Sequence, residues 1–534
     1  MLDRQCISAG SFLFFADLLW YDAYMINRDC TRAYILGIDV GTSGLKACIL
    51  DENARQAALT RAAYRSFALH EGWAEIDPDS LWNAMLQAIR DLRDNGIDLS
   101  RVAGIGLSVL CPAFVCMDET GGILAGPILY SDRRSTKQAE DILKRVGAEK
   151  LFAVTANGAM AGGLSGSSLL WVKENMPEAF DRARWFGHLN SWLCLKMTGQ
   201  TAIDPTNASY TNLFDTVKGD RWSEELCEAL GADREKLPPL KQSCEPAGFL
   251  NCRELTALGL PAGIPVAAGA GDTPCAALGC GVLKEGDVCE SVGTSNVLTV
   301  CVEKPVFDPR FINRAYLSPG TWVYQGSMSF TGAANEWFCR EFENGGQKPD
   351  GAVFERAGEQ AAKAAPGCGG VVFLPYMQGE RSPVWDPFAR GVFFGMTLAS
   401  TRADLNRAVL ESCGYGLRQF LEWSEQLTGK PIERFASIGG GAKSAVWAQI
   451  KADITGRTID VLEENDMAAA GAALLGGVTA GVWPDLQTAA DALERPVWRT
   501  FVPNHENDGV YARNYAVYRS LYPSLKDLFA AARK

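Results

Sequence analysis

Side chains suited to holding a phosphate group cluster near the start of the chain. The apolar segments 34–40 and 45–50 are strand-length and rich in β-branched and aliphatic residues, which predicts a β-hairpin. Its glycines let the backbone approach an anion, and the N–H groups of a tight turn can bind one. The candidate residues at this tip are Asp39, Gly41, Thr42, Ser43 and Lys46. A hairpin that binds no ligand is the structural alternative.

A Walker-type loop is excluded here. Its spacing, G-x-x-x-x-G-K-[ST], is absent, and such a loop must open into a helix. Lys46 instead continues through apolar residues to a turn at 51–53, so the second segment is a strand.

The motif Val-Gly-Thr-Ser occurs twice. It begins at Val40 and again at Val292, about half a chain length later, each time between apolar segments. The second copy predicts a second phosphate loop at Gly293, Thr294 and Ser295. Two related halves that hold one phosphate chain between them are the arrangement of actin-like ATPases. We therefore predict an α/β fold of two such lobes, which are ribonuclease H-like, with a cleft between them.

Length and composition agree with this architecture and exclude other classes. A chain of 534 residues is too long for one core and suits two domains. The net charge of −12 argues against nucleic-acid and anionic-membrane partners. Sixteen cysteines without a C-x-x-C pair, and only three histidines, indicate neither a zinc site nor a disulfide scaffold. Reduced thiols predict a cytoplasmic protein.

An acid stands at a predicted strand-to-helix switch. The apolar segment 265–268 is followed by Gly-Ala-Gly, Asp272 and a run of small residues. Ligands bind where strands end in open α/β sheets, so Asp272 is a candidate reactive group. A helix N-cap is the alternative for this aspartate.

A second glycine-rich turn lies in the C-terminal half. Strand 434–438 leads into Gly439, Gly440 and Gly441, and Ser444 can cap the helix that follows. Glycines between a strand and a helix allow a flat ring to lie against the backbone. The adenosine part of a nucleotide is the expected occupant, and a tight turn without ligand is the alternative.

Three further segments are candidates for a sugar-binding surface. Trp73 and Glu75 precede a helix capped by Asp77, and Asp132 stands beside two arginines. The third segment follows the buried strand 101–107 and contains Leu110, Cys111 and Pro112. Structural turns and a surface ion-pair cluster are the alternatives.

Together these motifs resemble the FGGY family of carbohydrate kinases, and within it the xylulokinase-like branch. The resemblance covers about 34–528 and rests on segments 39–43, 72–75, 131–134, 271–272, 293–295, 379–383 and 439–444. It implies an N-terminal lobe at 34–283 and a C-terminal lobe at 284–534. It also implies that ATP and Mg²⁺ are used to phosphorylate a sugar hydroxyl, usually of a ketose or polyol.

The resemblance also implies roles for individual residues. Asp272 matches the general base and lies beside the metal, and Asp39 matches the acid that holds Mg²⁺ through water. Thr42, Ser43, Lys46, Thr294 and Ser295 match the phosphate loops, whose glycines are Gly41 and Gly293. Gly440, Gly441 and Ser444 match the adenosine site, and the sugar pocket is lined by Trp73, Glu75, Asp132 and the segment 110–112.

One departure from the branch leaves the sugar open. Many xylulokinases have Gly-Gln-Met-His-Gly after the strand, whereas this chain has Val109-Leu110-Cys111-Pro112-Ala113. The expected acceptor is therefore D-xylulose, another pentulose, a hexulose or a polyol. An actin-like chaperone or switch ATPase is a more distant alternative, and it would need a peptide-binding domain for which the second lobe leaves no room. A sugar-sensing regulator would need a DNA-binding module.

Two expectations concern the rest of the molecule. Residues 1–33 fit none of the motifs and contain a run that is too short to span a bilayer. We expect this extension to be dispensable, and a docking helix is the alternative. The partner is a small-molecule sugar, and a homodimer is one option for the oligomeric state.

Overall fold

The computed structural model describes residues 33–42, 44–463 and 466–532. The expectation for the extension therefore lies outside the described residues except at position 33. Ser43 of the first predicted phosphate loop lies outside them as well.

The N-terminal half forms two sheets. A first sheet has the order β10-β11-β6-β1-β2-β3, with β12 also paired to β6, and a side sheet has the order β4-β5-β8-β7-β9. The strands are β1 Tyr34–Gly41, β2 Gly44–Asp51, β3 Gln56–Ala62, β4 Ser66–Phe67, β5 Glu75–Ile76, β6 Val102–Val109, β7 Ala113–Met117, β8 Ile123–Leu129, β9 Trp185–His188, β10 Pro246–Phe249, β11 Pro265–Ala267 and β12 Ala270–Gly271.

Helices accompany these two sheets in the N-terminal half. They are α1 Pro78–Asp94, α2 Thr136–Val146, α3 Ala148–Thr155, α4 Gly166–Asn175, α5 Pro177–Arg182, α6 Leu189–Thr198, α7 Pro205–Ala208, α8 Glu224–Leu230, α9 Arg253–Ala257 and α10 Asp272–Gly279. Local chemistry explains where α1 begins. The Asp77 side chain accepts hydrogen bonds from the backbone N–H groups of Asp79 and Ser80, and Pro78 occupies the first helical position.

The C-terminal half contains a second sheet of order β15-β16-β14-β13-β19-β20-β21 and a small pair, β17-β18. Its strands are β13 Val288–Val292, β14 Asn296–Val302, β15 Ile312–Ala315, β16 Trp322–Met328, β17 Val372–Leu374, β18 Val392–Phe394, β19 Arg434–Ile438, β20 Thr458–Leu462 and β21 Val497–Phe501. Its helices are α11 Thr331–Phe338, α12 Gly351–Ala361, α13 Arg402–Thr428, α14 Ala445–Thr455, α15 Met467–Thr479, α16 Leu486–Ala492 and α17 Asp508–Ala531.

The two large sheets repeat one pairing pattern. In the first sheet β1 is antiparallel to β2 and parallel to β6, and β6 runs parallel to β11, which ends against antiparallel β10. In the second sheet β13 is antiparallel to β14 and parallel to β19, and β19 runs parallel to β20, which ends against antiparallel β21. The duplicated Val-Gly-Thr-Ser motif thus belongs to a duplicated fold, with β1–β2 and β13–β14 as equivalent hairpins.

Helix α15 crosses from one half of the chain to the other. Although it follows β20 in sequence, it packs against β1, β6 and helix α10. Glycines make this approach possible: a Cβ atom at Gly106 of β6 would lie 1.7 Å from the carbonyl oxygen of Ala472. A Cβ at Gly471 would similarly lie 1.9 Å from the carbonyl oxygen of Cys275. Small residues therefore dock the helix onto the first sheet, backbone to backbone.

Within the described part of the chain, every helix is either too short or too polar to cross a lipid bilayer.

Candidate active site

The tip of the first hairpin holds a buried acid next to a lysine. Asp39 lies opposite Lys46 across the β1–β2 ladder, and its Oδ1 accepts a 2.7 Å hydrogen bond from the Ser108 hydroxyl on β6. Burial raises the pKa of Asp39, and the Lys46 charge and the Ser108 hydrogen bond offset only part of this effect. An additional cation near this carboxylate would therefore be stabilising.

Lys46 is engaged by two carboxylates. Its Nζ lies 2.8 Å from Oδ1 of Asp466 and 3.5 Å from Oδ2 of Asp39. Burial lowers the pKa of Lys46, but these two carboxylates outweigh it, so the net shift is upward. Asp466 is the N-cap residue of α15, yet its side chain makes no capping hydrogen bond. It pairs with Lys46 and Arg61 instead, because the docking of α15 brings it to the hairpin.

Asp272 occupies the first turn of α10, directly after β12. Gly271 is the N-cap, so the alternative of Asp272 as the capping residue does not hold. Its Oδ1 accepts a 2.7 Å hydrogen bond from the backbone N–H of Thr273. Burial, reinforced by the negative charge of Asp39, raises the pKa of Asp272 to about 6. Asp39 and Asp272, which come from separate strand ends, therefore interact with each other. The pKa of Asp272 is shifted towards neutral pH.

The second hairpin and the glycine-rich turn lie against each other. A Cβ atom at Gly439 would come within 2.5 Å of the carbonyl oxygen of Val292, and one at Gly441 within 2.5 Å of the Val292 side chain. Gly293 and Thr294 are exposed at the hairpin tip, and Gly440 is exposed in the turn. The structure thus brings the second predicted phosphate loop and the predicted adenosine loop together. Ser444 caps α14 as expected, accepting from the backbone N–H of Trp447.

A buried ion pair lies behind these two loops. Lys451 of α14 and Glu290 of β13 are both fully buried, and their Nζ and Oε2 atoms are 2.5 Å apart. The same carboxylate accepts from the Ser437 hydroxyl on β19 and from the Asn296 side-chain amide on β14. The network joins both strands of the hairpin to the strand and the helix that flank the glycine-rich turn.

An arginine of the second half lies near a tyrosine that contacts the first hairpin. Arg381 lies in the segment 379–383, and its Cζ is 6.0 Å from the ring centroid of Tyr130. The Tyr130 hydroxyl is 3.4 Å from Oγ1 of Thr42. The Glu380 carboxylate holds the backbone at this arginine, because it accepts hydrogen bonds from the backbone N–H groups of Arg381 and Ser329. Burial raises the pKa of Glu380 to about 7.

The segment after β6 contributes one side chain to the polar interior. Leu110 packs in the hydrophobic core beneath the first sheet, and Pro112 is buried. The assignment of Leu110, Cys111 and Pro112 to the sugar pocket stays a prediction. Cys111 is partly exposed and lies 3.8 Å from Nδ1 of His188, whose Nε2 is 2.8 Å from the Ser165 hydroxyl. Burial lowers the pKa of His188 to about 3, so its ring is neutral.

The remaining predicted sugar contacts form one ion-pair cluster. Asp132 is fully buried, and its carboxylate accepts from the backbone N–H of Ala74 and from the Arg134 guanidinium. Arg134 also pairs with Glu75 at 2.6 Å and stacks on Trp73, with 3.6 Å between Cζ and the ring centroid. In this conformation Asp132 supports its neighbours and offers no free oxygen. The sugar-binding assignments of Trp73, Glu75 and Asp132 stay predictions.

Comparison with known proteins agrees with this arrangement. Residues 34–279 match the N-terminal domain model of the FGGY family of carbohydrate kinases, and residues 289–480 match its C-terminal domain model. The chain belongs to the FGGY family of carbohydrate kinases. The predicted family, the kinase class and the fold of two actin-like α/β lobes are confirmed.

Individual relatives are similar over almost their whole length. A xylulose kinase of Escherichia coli (strain K12) is 30% identical over 93% of this chain and 100% of its own. A glycerol kinase of Symbiobacterium thermophilum is 29% identical over 90% of this chain and 97% of its own. The crystal structure of a xylulose kinase from Rhodospirillum rubrum superimposes with a TM-score of 0.84 at 27% identity, covering 93% of this chain and 100% of that one.

Several residues of this FGGY kinase that approach the site were not found from the sequence. The sequence motifs assigned no role to Asp466, and they included Arg381 only within the segment 379–383. Arg314, on β15, was not considered, although it interacts electrostatically with Asp272. An acid that follows a strand and precedes a run of small residues signals Asp466, but no local pattern signals Arg314.

Proposed function

We propose that this FGGY kinase transfers the γ-phosphoryl group of ATP to a hydroxyl of a ketose such as xylulose or another pentulose. The observation that carries the proposal is the placement of Asp272 at a strand-to-helix switch, where it interacts electrostatically with Asp39 of the first phosphate hairpin. Phosphoryl transfer depends on positioning and charge stabilisation, for which such a constellation is suited.

Asp272 is the proposed general base. A carboxylate with a pKa of about 6 is largely ionised at neutral pH and can accept the proton of the attacking hydroxyl. The hydroxyl oxygen then bonds to phosphorus while the bond to the leaving ADP breaks. We assign the β- and γ-phosphates to the two hairpin tips and the adenosine to Gly440, Gly441 and Ser444. The glycine-rich turn and the second hairpin touch at Val292, which supports this placement.

Mg²⁺ fits the acids of this site. Among the residues that the structure describes, no three Asp, Glu, His or Cys side chains gather into an all-protein metal site. Mg²⁺ is commonly held by one or two carboxylates together with substrate phosphates. Asp39 and Asp272 supply two carboxylates whose negative charges oppose each other, so a bound cation would relieve their repulsion. When bound, the ion would offset negative charge on the transferring phosphoryl group.

Relatives of two kinds bear on the acceptor sugar. The similarity to xylulose kinases over the whole chain supports a pentulose. The similarity to a glycerol kinase, together with Cys111 and Pro112 in place of the Met-His pair, supports a polyol as the second candidate. The cytoplasmic location and a homodimer stay predictions.

A coupled assay of ADP release tests the proposal. Ketoses, polyols, aldoses and sugar acids are each supplied with ATP and Mg²⁺, and ADP release without sugar is the control. Sugar-dependent ADP release that is fastest with a pentulose supports the main proposal, and release that is fastest with a polyol selects the second candidate. ADP release that no sugar stimulates would contradict both.

A further inference from the structure

Arg314 is a buried arginine with an unpaired donor. Its side chain is among the largest in the molecule to be almost wholly inaccessible, at 1% exposure. Nε donates a 2.6 Å hydrogen bond to the carbonyl oxygen of Thr206, whereas Nη2 has no hydrogen-bond partner in the described structure. Leaving a buried charged donor unpaired is costly, so such a group calls for a ligand.

This guanidinium covers the backbone next to the proposed base. A Cβ atom at Gly271, the residue before Asp272, would lie only 2.1 Å from Nη2 of Arg314. Its Cζ also lies 4.5 Å from the ring centroid of Tyr210. Tyr210 belongs to a small apolar cluster that includes Cys111. The unpaired donor therefore lies beside the residue that precedes Asp272, and its guanidinium acts electrostatically on the proposed base.

Two carboxylates already supply negative charge near Arg314. What Nη2 lacks in the described structure is an acceptor atom for its hydrogen bond. The carboxylates of Asp204 and Asp272 both interact electrostatically with the guanidinium, although neither forms an ion pair with it. A sugar acid would place a further carboxylate beside Asp272 and Asp39, which repel it. A neutral oxygen satisfies Nη2 without that cost.

A second unpaired donor belongs to a residue that is hydrogen-bonded to the same tyrosine. The Tyr210 hydroxyl donates to Oε1 of Gln325 at 3.1 Å, and Nε2 of Gln325 is buried without a partner. Guanidinium and amide N–H groups can only donate. An oxygen that carries no proton matches such surroundings better than a hydroxyl, whose own proton would need an acceptor.

We propose that Arg314 is a specificity-determining residue that donates from Nη2 to the carbonyl oxygen of an open-chain neutral ketose. This inference rests on the proposed function and narrows it, because it favours a ketose over the polyol obtained by reducing its carbonyl group. It also excludes sugar acids as preferred substrates.

Kinetics with a matched pair of acceptors test the inference. The wild type and Arg314→Met are assayed with D-xylulose and xylitol, or with the best ketose of the panel and its reduced polyol, and with D-xylonate. A hydrogen bond from a charged donor predicts that kcat/KM for the ketose falls about 10- to 100-fold. The value for the polyol should change much less, so that the ratio between the two sugars narrows, while the KM for ATP stays constant.

Two controls separate a binding role from a structural one. Arg93→Met removes an arginine that pairs with Asp94 at the end of α1, and it should leave the sugar preference unchanged. If Arg314→Met yields no folded protein, Arg314→Lys keeps the buried charge but loses the reach and shape of the guanidinium. The ketose-to-polyol ratio should then narrow in Arg314→Lys.

Each unfavourable outcome has a distinct meaning. Equal losses with ketose and polyol, a raised KM for ATP, or a wild-type preference for D-xylonate would overturn the role of Arg314 and leave the kinase proposal intact. Absence of turnover with every sugar would overturn the proposed function, and the inference with it.

Discussion

Replacement of Asp272 by asparagine removes the basicity of this side chain and keeps its size. The asparagine Oδ1 can still accept the hydrogen bond from the backbone N–H of Thr273, so the start of α10 should be preserved. General-base catalysis contributes about 10²- to 10⁴-fold to turnover. We therefore expect kcat to fall by at least about 100-fold while ATP still binds.

The pH dependence gives an independent measure of the same role. With a pKa of about 6, the ionised fraction of Asp272 increases from about 10% at pH 5 to about 90% at pH 7. Turnover of the wild type should increase about tenfold over this interval if proton acceptance limits the rate. The residual turnover of Asp272→Asn should lack this increase.

As the pH rises, the stability of the wild type should fall while its turnover increases. The folded-state pKa of Asp272 is raised from 3.8 to about 6, so the wild type loses stability as the pH rises through this interval. At about 1.4 kcal/mol per pKa unit, the ionised carboxylate costs up to about 3 kcal/mol at pH 7. Asp272→Asn lacks this cost and should unfold at a higher temperature than the wild type at pH 7, with the difference disappearing near pH 4.

Turnover, ATP binding and melting temperature are measured on one preparation across this pH range. A variant that is stable, binds ATP and is inactive supports the proposed base. Near-normal turnover of Asp272→Asn would refute the reasoning, and so would a lower melting temperature at neutral pH, because the side chain would then be structural.

Four further changes test other parts of the molecule. Lys451→Met leaves Glu290 buried without its partner and should lower the free energy of unfolding by about 3–5 kcal/mol in urea denaturation. Gly106→Ala places a methyl group against α15 and should cost at least about 1–3 kcal/mol, measured as a lower melting temperature. Cys111→Ser should alter the KM for sugars and leave the KM for ATP unchanged. Removal of residues 1–24 should preserve both activity and melting temperature.

Each of these changes has its own control or contrary result. The double variant Glu290→Gln/Lys451→Met should recover much of the lost stability, because no unpaired buried charge is left. Gly351→Ala, at a glycine with open space around it, should be nearly neutral, and an equal effect of both alanines would contradict the packing argument. A parallel change in every KM would argue against Cys111 as a sugar contact. Insolubility of the shortened chain would favour the docking helix.

The amount that could be predicted from the sequence differed between elements. Both hairpins, the start of α10 and the Ser444 cap of α14 follow from residues that are close together in the chain. The duplicated motif also indicated the duplicated sheet. The packing of Leu110 in the hydrophobic core, directly after the end of β6 at Val109, was not evident from the sequence.

The sequence by itself therefore determined the family, the two-lobed α/β fold and the position of the candidate base. These features depend on local periodicity, turn chemistry and motifs whose residues are neighbours in the chain. Only the tertiary structure decided that α15 docks on the first sheet, that Asp466 meets Lys46, and that Arg314 covers Gly271. Such contacts join residues far apart in sequence, so they depend on how whole elements pack. Glycines allow two backbones to approach each other, and the charged side chains meet only when the chain has folded.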